Sequence, residues 1–492
     1  MQADSDLLFG TGAVPAQRPS PRLAAQTAAW LLAGLALGLF AANLALHFPG
    51  VMNNDSVQQY RQAVAGRYGD WHPPVMAWLW SGLRVFGEGP APFLVLHLAL
   101  YWLGFGLFAD AVRRSGHPVL ALAVTLAGAF PPFLYVNAQV VKDVGMAASW
   151  LAAAGLLYWY RSQARRIPLL VGVVLAALLA YGALVRTNAI FGLGPLLLFA
   201  LAPASWLRSA RLLVAAVLVA VLALPASQFV NRVLLQAQPQ HATQSLFLFD
   251  LMGIAVHTGD PSVLQPRATL TREDLRACYS PYWWDSLSPW GRCAAKVHRP
   301  ADVEMPTLPD GLVAQWARAI VEHPGAYLAH RLKHFNSALL LAVPLKHIRL
   351  TPEYVTDDPQ FKPLERLTER DVKLDWVRKN PAVWPAVWLA WAACLLVLLQ
   401  RQAPSTHVLL ARVLAVSALG YSGAYLLIGV ATDMRYHYWS LLSVLLATLV
   451  VFPTLVRHWR RQPGSLWACA GVLAAVVAVG VLARVADFRG FM

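Results

Sequence analysis

The chain has 492 residues, 58% of them hydrophobic and 13% charged, with a mean hydropathy of +0.49. Soluble domains carry about 25% charged residues, so this composition excludes an ordinary soluble protein. The net charge of +15 does not mark a nucleic-acid binder either, because the Arg residues sit in short loops between apolar runs and not on one polar face.

Residues 1–22 read as a polar cytoplasmic tail, with Arg18 and Arg22 just ahead of the first apolar run. That run, 23–46, is longer than a signal-peptide core and no clear small-residue cleavage site follows it. It is therefore expected to be retained as a helix. Further apolar runs predict helices at 91–112, 119–138, 144–160, 167–185, 189–203, 212–230, 383–399, 408–430, 438–456 and 466–483. The expected fold class is an all-α membrane protein of about eleven transmembrane helices, each near the 20 residues that cross roughly 30 Å of hydrocarbon. A transmembrane catalytic module is expected at 23–230, an outer domain at 231–380 and C-terminal helices at 381–492.

Charge sets the expected orientation. With the N-terminus cytoplasmic, Arg113/Arg114, Arg161/Arg165/Arg166, Arg208/Arg211, Arg401 and Arg457/Arg460/Arg461 all fall on the cytoplasmic side. The reverse orientation puts every cluster outside, against the positive-inside rule. The other face then holds the loop 47–90, short turns near 137–143, 186–188 and 432–438, and the long segment 231–380.

Ionisable residues at a membrane boundary are costly, which makes them functional candidates. In chain order, Asp55 follows the first helix, and Asn54 or Asp55 can cap the amphipathic stretch 57–65. Asp55 is equally explained as a cap alone. Asp70 precedes Trp71-His72-Pro73-Pro74, where paired prolines make a rigid corner and the first restricts His72 to an extended shape; an ordinary proline turn before the apolar stretch 75–85 is the plainer alternative. Lys142-Asp143 opens the helix predicted at 144–160, where simple capping is again an alternative. Arg186-Thr187-Asn188 leaves no room for a loop, and an Arg at that depth calls for an anion such as a lipid phosphate. Asp433-Met434-Arg435-Tyr436 precedes the helix at 438–456, and Asp433 and Arg435 can simply pair. Each plain reading is adequate alone. What points to a site is that five distant places in the chain are expected at one interface.

The segment 231–380 is too polar to span and too long to be a structureless loop. It carries Trp283, Trp284, Trp290 and Trp316 and helix-like stretches at 311–321 and 327–341, so a small, mostly helical outer domain is expected. Cys278 and Cys293 lie in it and pair if that face is an oxidising periplasm; two free thiols are the alternative. Cys394 and Cys469 lie in predicted helices as packing residues. No second Cys or His pair has zinc spacing, and no internal repeat is evident.

Asn54-Asp55-Ser56 through Tyr60, His72-Pro73-Pro74 up to Trp78, Lys142-Asp143 and Asp433-Met434-Arg435-Tyr436 together resemble the GT-C superfamily of polytopic glycosyltransferases. The closest likeness is to its protein O-mannosyltransferase and lipid A aminoarabinose transferase branch. The likeness covers about the first 200 residues and a patch near 433–440, with His72 standing where the aminoarabinose branch has lysine. It implies an inverting transfer of sugar from a polyprenyl-phosphate donor to a lipid, glycan or protein acceptor at the periplasmic face of a bacterial inner membrane. In that scheme Asp55 is the base, while Asp143 orients the acceptor or holds a divalent cation, Mg²⁺ or Mn²⁺. His72, Lys142, Arg186 and Arg435 meet the donor phosphate, and Asn54, Asp70, Asn188, Asp433 and Tyr436 support the acceptor or the site. Two rival readings stay open: a flippase or transporter of lipid-linked glycans, which favours mid-bilayer charges and repeats, and a ligase of whole glycans, which calls for more basic groups.

Overall fold

The computed structural model describes residues 21–208, 211–265, 270–297, 311–345 and 379–486. The expected tail (all but its last two residues) and the part of the outer segment at 346–378 lie outside the described residues. Among the described residues the architecture is all-helical, with β contacts confined to three isolated bridges.

The helices used below are α1 (Pro21–His47), α2 (Asn54–Ala65), α3 (Val75–Leu83), α4 (Ala91–Arg114), α5 (Pro118–Ala127), α6 (Pro131–Asn137), α7 (Lys142–Ser162), α8 (Leu169–Leu184) and α9 (Ile190–Leu201). They continue as α10 (Arg211–Phe229), α11 (Gln244–Thr258), α12 (Arg272–Cys278), α13 (Leu312–Glu322), α14 (Pro324–Ala338), α15 (Pro385–Leu399), α16 (Thr406–Gly423), α17 (Tyr438–Arg461) and α18 (Pro463–Val485).

Each segment predicted to span is helical, but the helices are not uniform. Among the described residues, six stretches are long and apolar enough to cross a bilayer: Gln26–His47, Ala91–Arg114, Arg211–Leu234, Thr406–Ile428, Met434–Arg461 and Pro463–Val485. Two bent pairs raise this to as many as eight. The run predicted at 119–138 is one pair, α5 and α6, bent by 49°. Phe130 adopts an extended ψ of 122° ahead of Pro131, because a residue before proline is pushed out of the helical region. The other pair, Leu169–Leu184 and Thr187–Leu201, turns by 120° at Arg186, whose backbone is extended. Several apolar helices of this length mark a membrane protein.

The helix α7 departs from the sequence reading for a physical reason. It falls short of the apolarity of a lipid-facing span because it is central. Every residue from Asp143 to Gly155 is buried by protein, and small residues replace bulky ones. It packs on α4 where a side chain at Gly104 would sit 2.5 Å from Leu151 and one at Gly155 would sit 3.0 Å from the Gly104 carbonyl. Glycine there lets the two backbones approach, a common device between membrane helices. Around this pair lie α1 and α5 on the α4 side, α8 on α7, and a second group in which α9 packs on α10 and α16, and α16 on α15 and α17, with α17 also touching α7 and α18 lying against α15. The peripheral α1, α8, α10 and α18 expose large apolar side chains such as Trp30, Leu169, Leu222 and Trp467, the surface expected of helices meeting hydrocarbon.

A second, smaller core lies in the segment after α10. Leu248, Phe249, Met252 and Ile254 of α11 pack with Leu275 of α12, Trp284, Leu287, and Leu312 and Ala319 of α13. The expected helix-like stretches at 311–321 and 327–341 are α13 and α14. Cys278 and Cys293 are joined in a disulfide, closing the loop that carries Trp283, Trp284 and Trp290.

Candidate functional site

Four hydrogen bonds, three of them between backbone groups, bring the distant motifs together. The residue after the first helix turn, Val51, forms a bridge with Gln139: Val51 N donates to the Ala138 carbonyl at 2.8 Å and Val140 N to the Val51 carbonyl at 2.9 Å. Ser56 Oγ donates to the Val140 carbonyl at 2.6 Å. This lays the start of α2 beside the start of α7, so Asp55 and Lys142 become neighbours. On the other side, Trp284 N donates to the Val430 carbonyl at 2.9 Å, tying the disulfide loop to the stretch that leads into Asp433 and Arg435.

The cap of α2 differs from the sequence reading. Asn53, and not Asn54 or Asp55, is the N-cap: its side-chain oxygen accepts from Ser56 N at 2.9 Å. The plainer reading of Asp55 therefore does not hold, because the capping position is already filled. Asp55 sits in the first helical turn with 37% of its side chain exposed.

Three basic groups surround that carboxylate at a distance. Asp55 Oδ1 is 3.6 Å from His72 Nε2, and Asp55 Oδ2 is 3.6 Å from Arg435 Nη2 and 4.0 Å from Lys142 Nζ. These exceed hydrogen-bond lengths, so the carboxylate is held by charge without being locked. Lys142 Nζ lies 2.7 Å from His72 Nδ1. An ammonium only donates, so Nδ1 is the acceptor and the ring proton belongs on Nε2, toward Asp55. Burial pushes the His72 imidazole down to about 3, with the Lys142 cation adding to the effect and Asp55 opposing it, so the ring is neutral at pH 7. Burial alone would raise the Asp55 carboxyl. The combined fields of His72, Lys142, Arg435 and Arg186 outweigh it and hold the group well below the usual carboxylate range.

Arg186 forms a second tier. Its Nη1 pairs with Asp143 Oδ1 at 2.9 Å, its Nη2 donates to the Tyr425 hydroxyl at 2.6 Å and its Nε to Asn188 Oδ1 at 3.2 Å. The guanidinium lies over the Tyr436 ring, 4.4 Å from its centroid, and Arg435 faces the same ring at 5.2 Å. Tyr436 stacks on Tyr425 at 5.8 Å. Arg435 is also held by Asp433, whose Oδ2 is 3.3 Å from Nε and whose Oδ1 accepts from Arg435 N at 3.0 Å.

Two adjoining cavities meet at this cluster. One, of about 250 Å³, is lined by Asn53, Asn54, Asp55, His72, Asp433 and Arg435 together with Trp71, Trp283, Trp284 and Trp290. The other, of about 320 Å³, is lined by Arg186, Asn188, Pro73, Thr243, Tyr425 and Ile428 among others. Lys142, Tyr436 and Trp71 belong to the walls of both.

Two expected site residues stand elsewhere or in another role. Asp70 is not at the cluster: it pairs with Arg232 Nη2 at 2.7 Å and accepts from Gln240 N at 2.5 Å, pinning the first loop to the stretch after α10. Asp143 is fully buried behind Arg186 and lines neither cavity. It anchors Arg186. That position does not suit a carboxylate ligand for Mg²⁺ or Mn²⁺, and among the described residues no three His, Cys, Asp or Glu side chains converge as a cation site.

Some participants were not singled out from the sequence. Tyr425 was hidden in an apolar run. A second ionic cluster joins Asp250, His330 and Arg331, all fully or almost fully buried. Its signal was legible: a lone Asp in the otherwise apolar run Leu246-Phe247-Leu248-Phe249-Asp250-Leu251-Met252 requires a buried cation. No protein-family model, no curated protein and no solved structure matches this chain.

Proposed function

We propose that the chain is a membrane glycosyltransferase that moves a sugar from a polyprenyl-phosphate carrier to an acceptor hydroxyl, with inversion at the anomeric carbon. The observation that carries this reading is Asp55: a partly exposed carboxylate ringed at 3.6–4.0 Å by His72, Lys142 and Arg435, at the wall of a cavity. An ionised carboxylate with loose contacts can take a proton, and loosely held cations can turn to a phosphate.

In this reading the donor phosphate enters the Arg186 cavity, where Lys142, Arg186 and Arg435 stabilise the charge that grows as the C1–O bond to phosphate breaks. The acceptor hydroxyl attacks C1 from the opposite face and gives its proton to Asp55. Asp143 acts through Arg186 as a positioning residue, and His72 orients Lys142 and the carboxylate. The likeness to GT-C transferases supports the donor class. The arrangement of cations at the helix starts, and not at mid-helix, favours transfer over transport.

The membrane arrangement belongs to the same proposal: about eleven crossings, the N-terminus in the cytoplasm, the Arg clusters on that side, and the segment 231–380 as a periplasmic domain over the site in a bacterial inner membrane. The short α8, α9 and α15, of 16, 12 and 15 residues, reach only about 18–24 Å at about 1.5 Å per residue and would cross where protein and not lipid surrounds them.

The test is transfer of radiolabelled sugar from a polyprenyl-phosphate donor by the purified protein. Wild type transfers. Asp55→Asn, which keeps the shape and removes the base, falls by roughly 10²–10⁴-fold. Equal transfer by the two rules out this mechanism.

A further inference from the structure

We propose that the cavity beside Asp55 receives a pyranose ring, so that the acceptor is itself a carbohydrate, with Trp71 and Trp290 as its stacking platform. The proposal rests on the transferase reading and names the acceptor for the same site.

The platform is built, not incidental. Trp290 is 64% exposed, an unusual state for an indole, yet it is held edge-on to two others: 5.5 Å from Trp71 at 75° and 5.8 Å from Trp284 at 79°. Trp71 and Trp284 meet at 5.9 Å, and Trp284 is buried in the outer core. One indole is thus anchored and supports the two that remain accessible. The loop holding Trp284 and Trp290 is closed by the Cys278–Cys293 disulfide, and the bridge between Trp283 and Ala431 fixes it to the stretch leading to Asp433 and Arg435. The aromatic wall and the charged wall therefore belong to one cavity with a fixed geometry.

The chemistry of the lining selects the occupant. The same cavity is also lined by the polar side chains of Asn54 and Thr432. A pyranose has the matching character. Its C–H face carries slight positive charge that the negative face of an indole attracts, and its rim of hydroxyls needs polar partners. An all-apolar acceptor would leave those polar groups unpaired, at a cost. The volume of about 250 Å³ is at the small end for a binding pocket and suits a single ring at the reacting position.

The experiment is saturation-transfer NMR on the full chain in lipid nanodiscs, with cellotriose, mannotriose and a Ser/Thr-containing hexapeptide as probes. The expected result is saturation of pyranose C–H protons in at least one trisaccharide. Trp290→Ala should weaken that binding roughly 3- to 10-fold and Trp290→Phe less, because an aromatic face remains. Trp290 is exposed, so its replacement does not threaten the fold.

Three results overturn the proposal: no saturation of either trisaccharide, binding that is unchanged in Trp290→Ala, or saturation of the hexapeptide alone. The transferase reading falls separately. Asp55-dependent release of polyprenyl phosphate without saccharide binding sinks the platform only. Trp290-dependent saccharide binding with no donor turnover sinks the transferase and leaves a carbohydrate-binding site.

Discussion

Asp55 and Asp250 each draw a histidine and at least one strong cation toward themselves, and the two clusters behave oppositely. Asp250 is closed. It accepts from Trp316 Nε1 at 2.8 Å, lies 3.3 Å from His330 Nε2 and is in direct contact with the Arg331 guanidinium, and none of the three ionisable groups reaches solvent to any extent. Asp55 is open. Its basic neighbours stand at 3.6, 3.6 and 4.0 Å, and more than a third of its side chain is exposed. Both carboxyls are held below their ordinary range against the effect of burial, Asp55 by His72, Lys142, Arg435 and Arg186 and Asp250 by its hydrogen bond to His330 and the Arg331 charge, so a perturbed proton affinity does not by itself tell a reactive group from a structural one. Contact distance and access do. A closed cluster has its valence satisfied within the fold, whereas an open one keeps it for a ligand.

The largest expected effect exploits this difference. Asp55→Asn should lower transfer by roughly 10²–10⁴-fold while lowering the thermal unfolding midpoint less than Arg331→Met does, because only charge contacts at 3.6–4.0 Å are lost and no close ion pair of the fold is broken. A large drop in the midpoint would show that Asp55 belongs with Asp250 as a structural group. The mirror experiment is Arg331→Met. Removing the cation leaves Asp250 buried and unpaired, which costs about 3–5 kcal/mol of stability. Differential scanning fluorimetry should show it, and Asp250→Leu added to Arg331→Met should recover most of the loss. Arg331 Nη1 also donates to the Gly429 carbonyl at 2.7 Å, four residues before Asp433, a bond the double variant does not restore, so transfer should fall with stability and recover less than stability does. A midpoint unmoved by Arg331→Met would overturn the account of the closed cluster.

The comparison also shows what a sequence displays. The residues of the open cluster were visible because each stands where an apolar run ends: Asp55 after α1, Lys142 at the start of α7, Arg186 between α8 and α9, Arg435 before α17. Termination of a run is a one-dimensional signal, and membrane geometry turns it into a layer. Three things were not of that kind. Asn53 and Asn54 are adjacent and chemically identical, and only the backbone at Asn53, with ψ near 178°, decides which one caps. Asp143 follows Lys142 directly, but the helix turns them to different sides, one to the cavities and one into the core. The small residues of α7 serve contact with α4, and nothing in one dimension names that partner. The outer segment was legible only as helix-like pieces, because its core is assembled from α11, α12, α13 and the disulfide loop across long separations.

Asp70 tests how far the layer argument reaches. It shares the first loop with Asp55 and was grouped with it from the sequence, yet its carboxylate pairs with Arg232, whose side chain is 37% exposed. A half-exposed ion pair of that type contributes about 0.2–1 kcal/mol. Asp70→Asn should therefore change transfer by less than about twofold, with a midpoint shift at the edge of detection. A loss approaching that of Asp55→Asn would return Asp70 to the site and break the line drawn between open and closed carboxylates.

The smallest expected effect is the lack of an acid limb in kcat/KM between about pH 5 and 8. In the free protein Asp55 lies well below its ordinary 3.8 and His72 is lowered from 6.5 to about 3. For Asp55 the depressed value means stability that is present above 3.8 and lost as pH falls through the folded value. For His72 the unfolded chain takes up its proton first, so acidification from 6.5 toward about 3 also subtracts stability. Neither group changes charge in the folded protein between about pH 5 and 8, so kcat/KM should show no acid limb there from either. A base with so little affinity for a proton is weak, and the donor supplies the remedy. On the transferase proposal, its phosphate among Lys142, Arg186 and Arg435 would offset the positive field that depresses Asp55, and the carboxyl would rise back toward its ordinary range in the complex. The acid limb of kcat should therefore lie at higher pH than that of kcat/KM, since the first reports the complex and the second the free protein. Rate profiles at saturating and at low donor concentration measure both. Coincident limbs would mean that the donor phosphate does not lie among these cations, and a kcat/KM limb near 6.5 would mean that His72 titrates as an exposed imidazole and that the Lys142–His72–Asp55 order is wrong.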